Sequence, residues 1–311
     1  MRGKLHPVAF LLAAGLLLYL GRGLLRESEI VTWGLTFAGT TAAGVLGMAL
    51  YRVQLELRAS RHELSMKQAE LNFALQVQRA LFPRQFPVDG GLEFSAICVP
   101  ARGISGDYYD VMQLPDGRLV FAIADISGKG ISAAILMTNL QAVLRMLAGA
   151  GHSPKAVCSQ LNVHLHQITD GGRFATIFYA EWNPAARLLR YVNAGHNAPL
   201  LVGNGSLQRL DPGAPPLGLF PECEFHVGEV SLQPGNTIVL YSDGLTEAGI
   251  DQGREFGESQ LVSVITGHAG KPLAEIQQHV LTAVHEWAGE EFEDDLTLLL
   301  VRATEPPKEA L

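Results

Sequence analysis

Residues 31–50 form a stretch of twenty amino acids without a charged side chain, and this stretch restricts the fold more than any other part of the chain. As an α-helix it would be about 30 Å long, which matches the hydrocarbon thickness of a bilayer. Residues 7–25 are also apolar apart from Arg22, whose side chain can reach the membrane interface. The sequence therefore predicts a transmembrane hairpin over residues 1–50. A cleaved signal peptide is the alternative for its first segment.

Basic residues predict the orientation of this hairpin. Two of them precede the first apolar segment and four follow the second: Arg2, Lys4, Arg52, Arg58, Arg61 and Lys67. The basic residues of the connecting loop are only Arg22 and Arg26. Because basic residues favour the cytoplasmic side, we expect both ends of the hairpin, and the large domain after it, to be inside the cell.

Composition excludes some classes of protein. The chain has 311 residues and a formal charge of −8, which argues against nucleic acid as its main partner. Its three cysteines, Cys98, Cys158 and Cys223, are isolated in the sequence. Their spacing suits neither a zinc site nor a set of disulfides, so we expect reduced thiols.

Residues 51–82 contain no glycine or proline and predict one continuous helix, ended by Pro83. Leu57, Leu64 and Leu71 recur at intervals of seven residues. This spacing is compatible with a coiled coil, and hence with a homodimer through residues 51–82. A helix that packs on its own domain is an equally good interpretation. We assign residues 51–87 as a helical linker.

The rest of the chain predicts an α+β domain over residues 88–303 and a tail over 304–311. Residues 118–125 and 236–243 are nearly continuous apolar runs, as in strands buried on both sides. Asn183-Pro184 and Asn204-Gly205 predict hairpin turns, and residues 296–302 predict a final strand. Helical patterns cover residues 131–149, 154–168 and 271–288. The order of these elements favours antiparallel sheets covered by helices.

The stretch AIADISGKGISAAIL, residues 122–136, combines a strand end with a glycine-rich turn. A nucleotide-binding P-loop would require glycine where Ile123 stands and a hydroxyl side chain directly after Lys129, where Gly130 stands. The match is therefore poor. The remaining chemical feature is Asp125 at the strand end.

Other carboxylates also lie at the ends of predicted strands: Asp107, Asp110, Asp243, Asp294 and Asp295. Each of them alone is typical of a turn. Together they indicate a metal site, because clustered carboxylates repel one another unless a cation neutralises them. An all-oxygen set favours Mg²⁺ or Mn²⁺ over zinc, and two such ions can activate a water for phosphoryl transfer.

Six motifs occur in an order that resembles the PPM-type metal-dependent serine/threonine phosphatases, in particular their bacterial SpoIIE/RsbU-like branch. They are PARGISGDYYDV, ADISGKGISAAILM, FATIFYAEW, YVNAGHNAPLLV, LYSDGLTEA and EDDLTLLLV. The resemblance covers residues 75–303 and includes QVQRALFP in the linker. It implies an antiparallel β-sandwich flanked by helices, with two Mn²⁺ or Mg²⁺ ions at one edge.

The resemblance also implies individual roles. Asp125 would bridge both metals, and the Ile126 carbonyl would bind the second. Asp243 and Asp294 would complete the first metal, and Asp107 would serve the second directly or through water. The substrate would be a phosphorylated regulatory protein, such as an anti-sigma-factor antagonist, at the inner membrane of a bacterium.

Several residues keep two interpretations. Arg102 is the candidate for holding the phosphate, although its equivalence to the arginine of larger relatives is open. His196 could contact the substrate or stabilise a turn. Lys129 suits a surface turn as well as the phosphate, and Asp110 could cap a turn. Asp295 suits a turn or a supporting contact to a ligand.

The competing functional class is a membrane signalling scaffold that keeps the phosphatase fold without activity. A scaffold has no chemical reason to keep Asp107, Asp125, Asp243 and Asp294 together, and all four are present. The sequence therefore favours an enzyme.

Overall fold

The computed structural model describes residues 13, 15, 16, 19, 29–88, 90–101, 103–169, 172–203, 205–211, 213–289 and 292–305. Most of the first predicted membrane segment lies outside the described residues, as do Arg102, Asn204 and most of the predicted tail. The chain divides into two compact units, Met1–Glu70 and Leu71–Leu311.

The first described element is one long helix, α1 (Glu29–Leu81). The predicted continuous helix over residues 51–82 is confirmed, and it ends two residues before Pro83, which cannot continue a helix. Within the first unit its apolar side chains are exposed, including Trp33 and Phe37. Its most apolar window has a mean hydropathy of 1.3 and contains no buried residue.

A second helix, α2 (Ile131–Gly149), is also long and apolar enough to cross a membrane, with a mean hydropathy of 1.5. However, 44% of its apolar window is buried. It belongs to the core of the second unit, where Met137, Leu140 and Leu144 are fully buried. Length and hydropathy by themselves therefore do not make α1 a membrane span.

In its described residues, the second unit contains two antiparallel sheets of five strands each. The first has the spatial order β1 (Leu92–Val99), β10 (Leu296–Ala303), β9 (Thr237–Tyr241), β6 (Leu200–Gly203) and β7 (Ser206–Arg209). The second has the order β2 (Tyr108–Gln113), β3 (Leu119–Ile126), β4 (Ala175–Asn183), β5 (Leu188–Ala194) and β8 (Gly228–Ser231). Both predicted hairpins are confirmed, as β4–β5 and β6–β7.

Alternation along the strands builds the layers, because successive side chains of a strand point to opposite faces. In β3, Phe121 and Ile123 pack in the cluster between the two sheets, whereas Val120, Ala122 and Ala124 pack with α2. In β10, Leu299 and Val301 join the cluster between the sheets, and Leu296, Leu298 and Leu300 face the other way. This explains why both strands read as continuous apolar runs.

Helices cover both outer faces of this sandwich. On the second sheet lie α2 and α3 (Pro154–Thr169). On the first sheet lie α5 (Gly257–Gly267) and α6 (Leu273–Ala288), preceded in the chain by the one-turn helix α4 (Asp243–Thr246) and a 3₁₀ turn at Ile250–Gln252. The predicted antiparallel sandwich flanked by helices is confirmed. The sequence patterns missed β2, β8 and α5.

Strand directions bring several chain segments to one end of the sandwich. The start of β2 pairs with the end of β3, since Tyr108 lies opposite Ala124. The end of β9 pairs with the start of β10, since Tyr241 lies opposite Leu298, and β1 ends opposite Leu296. The predicted carboxylates Asp107, Asp125, Asp243, Asp294 and Asp295 stand at these ends, whereas Asp110 lies within β2.

Candidate active site

The segment before β2 lies tightly against the end of β3. The Asp107 side chain is buried, and its backbone N–H donates to Ser105 Oγ at 2.9 Å. A Cβ atom at Gly106 would lie 3.2 Å from the Ile126 carbonyl oxygen and 3.7 Å from Asp125 Oδ1. Glycine therefore allows the Asp107 segment to approach the two candidate ligands of β3.

The second pair of strand ends is held by Ser242. Its hydroxyl donates to the Asp295 carbonyl at 3.0 Å and accepts from the Thr297 N–H at 2.9 Å. A Cβ atom at Gly244 would overlap the Asp295 carbonyl oxygen. The turn after β9 thus packs directly on the chain that carries Asp294, which places Asp243 beside Asp294.

Asp295 connects the two sheets. Its Oδ1 accepts from the Ala101 N–H at 2.9 Å, and its Oδ2 accepts from the Gly106 N–H at 2.7 Å. The carboxylate at the start of β10 therefore holds the backbone next to Asp107. Of the two sequence interpretations of Asp295, the geometry favours a supporting contact.

Electrostatic effects show that the predicted carboxylates are neighbours. The pKa of Asp125 is raised to about 7, first by burial and then by the negative charges of Asp243 and Asp294. Burial and the charge of Asp125 raise the pKa of Asp107 well above its usual range. Burial and Asp294 raise the pKa of Asp243. Neighbouring negative charges therefore oppose the ionisation of Asp107, Asp125 and Asp243.

Lys129 places a positive charge at this cluster. Its Nζ lies 2.6 Å from Asp294 Oδ2 and donates to the Glu293 carbonyl at 3.1 Å. The sequence left open a surface turn or a role near the phosphate for this residue. The structure places its ammonium group at the carboxylates.

The donor chemistry of the cluster fits a hard divalent cation. The Asp107 Oδ2 atom is buried without a hydrogen-bond partner among the described residues, and the neighbouring carboxylates repel one another. A cation with oxygen ligands relieves both effects. Within the described part of the chain, no three acidic, imidazole or thiol groups are already arranged around a common metal position.

His196 lies behind the cluster. Its ring Nδ1 is 2.8 Å from Thr176 Oγ1, its backbone N–H donates to Asn193 Oδ1 at 2.9 Å, and Thr176 lies opposite Asp125 in the β3–β4 pair. Burial lowers the pKa of the imidazole to about 4, so the ring is neutral near pH 7. These contacts favour the turn interpretation. Arg102, the candidate for binding phosphate, lies outside the described residues.

Asp110 does not cap a turn. It lies within β2, fully buried, and its two carboxylate oxygens accept from Arg145 Nε at 2.6 Å and Nη2 at 2.8 Å. The Tyr108 hydroxyl donates a further bond at 2.5 Å. Arg145 is distant in sequence, so no local pattern indicated this ion pair.

Gln78, near the end of α1, is a contact that sequence reasoning missed. Its side chain is buried, its Nε2 donates to the Ser105 carbonyl at 2.6 Å, and its Oε1 accepts from the Ser105 N–H at 3.0 Å. The QVQRALFP motif contains this residue, but a helical pattern does not reveal which glutamine is buried. The amide holds the residue two positions before Asp107.

Comparison with known proteins identifies the family of the chain. The family model described as Stage II sporulation protein E (SpoIIE) matches residues 115–304. The phosphoserine phosphatase RsbU of Bacillus subtilis (strain 168) is 30% identical over 258 residues, which are 82% of this chain and 75% of that protein.

Solved structures share the fold. The RsbU and RsbW domains of Rv1364c from Mycobacterium tuberculosis superpose with a TM-score of 0.64 at 28% identity, over 72% of this chain and 63% of that chain. The catalytic domain of the serine threonine protein phosphatase PstP, crystallised with 2 manganese ions, gives a TM-score of 0.53 over 69% of this chain and 99% of that one. At 16% sequence identity, this comparison supports a shared fold and nothing about function. The chain belongs to the SpoIIE family of phosphatases and has the fold of PP2C domains.

Proposed function

We propose that this chain hydrolyses phosphoserine or phosphothreonine on a regulatory protein with the help of two divalent cations, Mn²⁺ or Mg²⁺. The observation that carries the proposal is the carboxylate cluster at one end of the sandwich, in which the pKa of Asp125 is raised by its acidic neighbours. RsbU, whose name describes a phosphoserine phosphatase, supports the same substrate group.

The cations would be held by the side chains of Asp107, Asp125, Asp243 and Asp294 and by the carbonyl of Ile126. When bound, they supply an activated water and neutralise charge on the phosphoryl group. Asp295 keeps the Gly106 backbone in place, and Ser242 keeps the β9 turn on β10. Lys129 adds positive charge at the edge of the cluster, which attracts a dianionic phosphate ester.

The regulatory protein is proposed to be an anti-sigma-factor antagonist, by similarity to the RsbU type of phosphatase. The phosphatase domain would be attached to the cytoplasmic face of a bacterial inner membrane. The exposed apolar side chains in the first part of α1 support this location, because a surface of this kind is stable in lipid or against another protein.

The domain limits belong to this proposal: a hairpin over 1–50, a linker over 51–87, the phosphatase domain over 88–303 and a tail over 304–311. A homodimer through residues 51–82 belongs to the same proposal. Fractionation of cells tests the membrane part. The full chain is expected with the membranes, and recovery of the full chain in the soluble fraction would contradict it.

Activity is tested with the full chain in detergent, using Mn²⁺, p-nitrophenyl phosphate and a phosphoserine peptide. Asp125→Ala is expected to lower turnover by roughly 10²-fold or more, as when a group that stabilises transition-state charge is removed. Asp116→Ala is the matched control, since Asp116 is an exposed aspartate whose side chain contacts only Arg118 among the described residues.

Three results separate the functional classes. Turnover that requires Mn²⁺ and is lost in Asp125→Ala supports the enzyme. Absence of both turnover and calorimetric Mn²⁺ binding supports the scaffold. Binding of Mn²⁺ without turnover indicates a domain that waits for a partner or for a movement of its linker helix.

A further inference from the structure

A groove of about 580 Å³ lies between the start of α2 and the end of α3. This volume is in the range of sites that bind ligands. Its described lining residues are Ser132, Ile135, Leu136, Asn139, Ile168, Thr169, Gly172 and Arg173. The metal chemistry proposed above uses none of them.

The groove adjoins the candidate active site through the loop of residues 127–130. The Ser127 N–H donates to the Phe174 carbonyl at 2.9 Å, and the Phe174 N–H donates back to Ser127 Oγ at 2.9 Å. This loop directly follows Asp125 and Ile126, and its Lys129 reaches Asp294. Two hydrogen bonds therefore hold the segment that carries Arg173 against the loop of residues 127–130, which follows the carboxylate cluster.

Arg173 places a guanidinium group between the loop and the groove. Its Nη1 donates to Ser132 Oγ at 2.9 Å, and it would lie 3.3 Å from a Cβ atom at Gly128. None of the described lining residues is acidic, and Arg173 is the one charged residue among them. An occupant with negative charge would be complementary to this end of the groove.

The remainder of the groove presents aliphatic side chains to solvent. Ile135 is 66% exposed, and Ile131, which lies one helical turn earlier just outside the groove lining, is 56% exposed. Ile168 on α3 is 48% exposed and lines the groove with Ile135. Single exposed apolar residues are ordinary, but a group of them beside a cation and an active site is typical of a binding surface.

We propose that this groove binds the segment of the phosphoprotein substrate that flanks its phosphoserine. Ile135 and Ile168 would receive an aliphatic side chain of that segment, and Arg173 would attract its phosphorylated end. The inference rests on the proposed function and adds a specificity determinant to it.

The test compares two phosphoserine peptides, one with Leu-Ile after the phosphoserine and one with Gly-Ser there. The full chain is assayed with Mn²⁺, and selectivity is the ratio of kcat/KM for the two peptides. Ile135→Ser is expected to lower this ratio about tenfold, because an aliphatic side chain of the peptide loses its apolar contact. Ile135→Leu is expected to keep it.

Met146→Ser is the matched control, because Met146 lies on the same helix, is 64% exposed and does not line the groove. It is expected to keep the parental ratio. An unchanged ratio in Ile135→Ser, or an equal fall in Met146→Ser, would overturn the inference. Arg173→Gln is expected to weaken binding of both peptides and to reduce the dependence on ionic strength.

Binding separates this inference from the proposed function. Fluorescein-labelled peptides are titrated with the full chain in EDTA, where no metal-dependent turnover occurs. If neither peptide is hydrolysed with Mn²⁺ and calorimetry shows no Mn²⁺ binding, the proposed function fails. The groove is then judged by affinity alone. Weaker binding of the Leu-Ile peptide by Ile135→Ser supports it, and equal binding by the parent and Ile135→Ser overturns it.

Discussion

Gln78 provides a sharp test of how the end of α1 supports the candidate active site. Its amide makes two hydrogen bonds to the backbone of Ser105, with N···O distances of 2.6 and 3.0 Å, and both residues are buried. Gln78→Ala would leave one N–H and one C=O without a partner. Each unsatisfied buried group costs about 1–3 kcal/mol.

The neighbouring cavity reduces this estimate. A cavity of about 290 Å³ is lined by Gln78 together with Phe82 and Cys98, so water can reach part of the space that the amide leaves. We therefore expect Gln78→Ala to lower the free energy of unfolding by about 2 kcal/mol, at the lower end of the sum for two groups. For a domain of this size that corresponds to a decrease in Tm of about 4–8 °C.

Gln76→Ala is the matched control, because Gln76 lies on the same helix and is exposed. It is expected to change Tm by less than about 1 °C, since glutamine and alanine have similar helix propensities. Both variants are followed by thermal unfolding of the full chain and by Mn²⁺-dependent turnover.

Gln78→Ala is also expected to raise the Mn²⁺ concentration that gives half-maximal turnover. The reason is that the Asp107 N–H donates to Ser105 Oγ, so displacement of Ser105 moves the carboxylate. Equal Tm values and equal Mn²⁺ requirements for the Gln78 and Gln76 variants would refute the reasoning.

Three further predictions concern other contacts. Arg145→Met should lower the free energy of unfolding by about 2–3 kcal/mol in chemical denaturation, because buried Asp110 loses its cation; the loss is moderate since Arg145 is itself half-exposed. Arg190→Met, which breaks an exposed ion pair with Glu229, should lower it by less than about 1 kcal/mol. Gly244→Ala should lower Tm and abolish turnover, because the added Cβ atom would overlap the Asp295 carbonyl oxygen. Gly267→Ala is the control: no atom lies within 4 Å of the added Cβ, so Tm should not fall. Because the pKa of Asp125 is raised, in EDTA the folded state binds more protons than the unfolded state between about pH 4 and pH 7. Tm should therefore fall as pH rises through this window, and Asp125→Asn should make Tm less dependent on pH. A parental Tm that rises with pH in this window would contradict the raised pKa.

Much of the fold was predictable because its signals are local. The apolar runs at β3 and β9, the hairpin turns and the helix limits at residues 131–149 depend on neighbours within a few residues. The strands β2 and β8 escaped notice because they are short and mixed in character, and α5 because it is short and flanked by loops. Such elements gain their stability from tertiary packing.

Some residues of the candidate site were predictable from the sequence, and others were not. A carboxylate at each strand end is visible in the sequence, and antiparallel pairing then predicts that the ends meet. The supporting contacts were not predictable, since Gln78–Ser105, Asp110–Arg145 and Asp295–Gly106 join residues far apart in the chain.

The sequence by itself determined the class of fold, the order of its elements and the all-oxygen chemistry of the carboxylates, because periodicity and residue type are local properties. Only the tertiary structure decided which polar side chains support the site, that Lys129 reaches Asp294, and that Arg173 meets an aliphatic groove. These depend on which elements become neighbours when two sheets and their helices pack. That packing depends on the fit of buried surfaces across the whole domain, which no short stretch of sequence specifies.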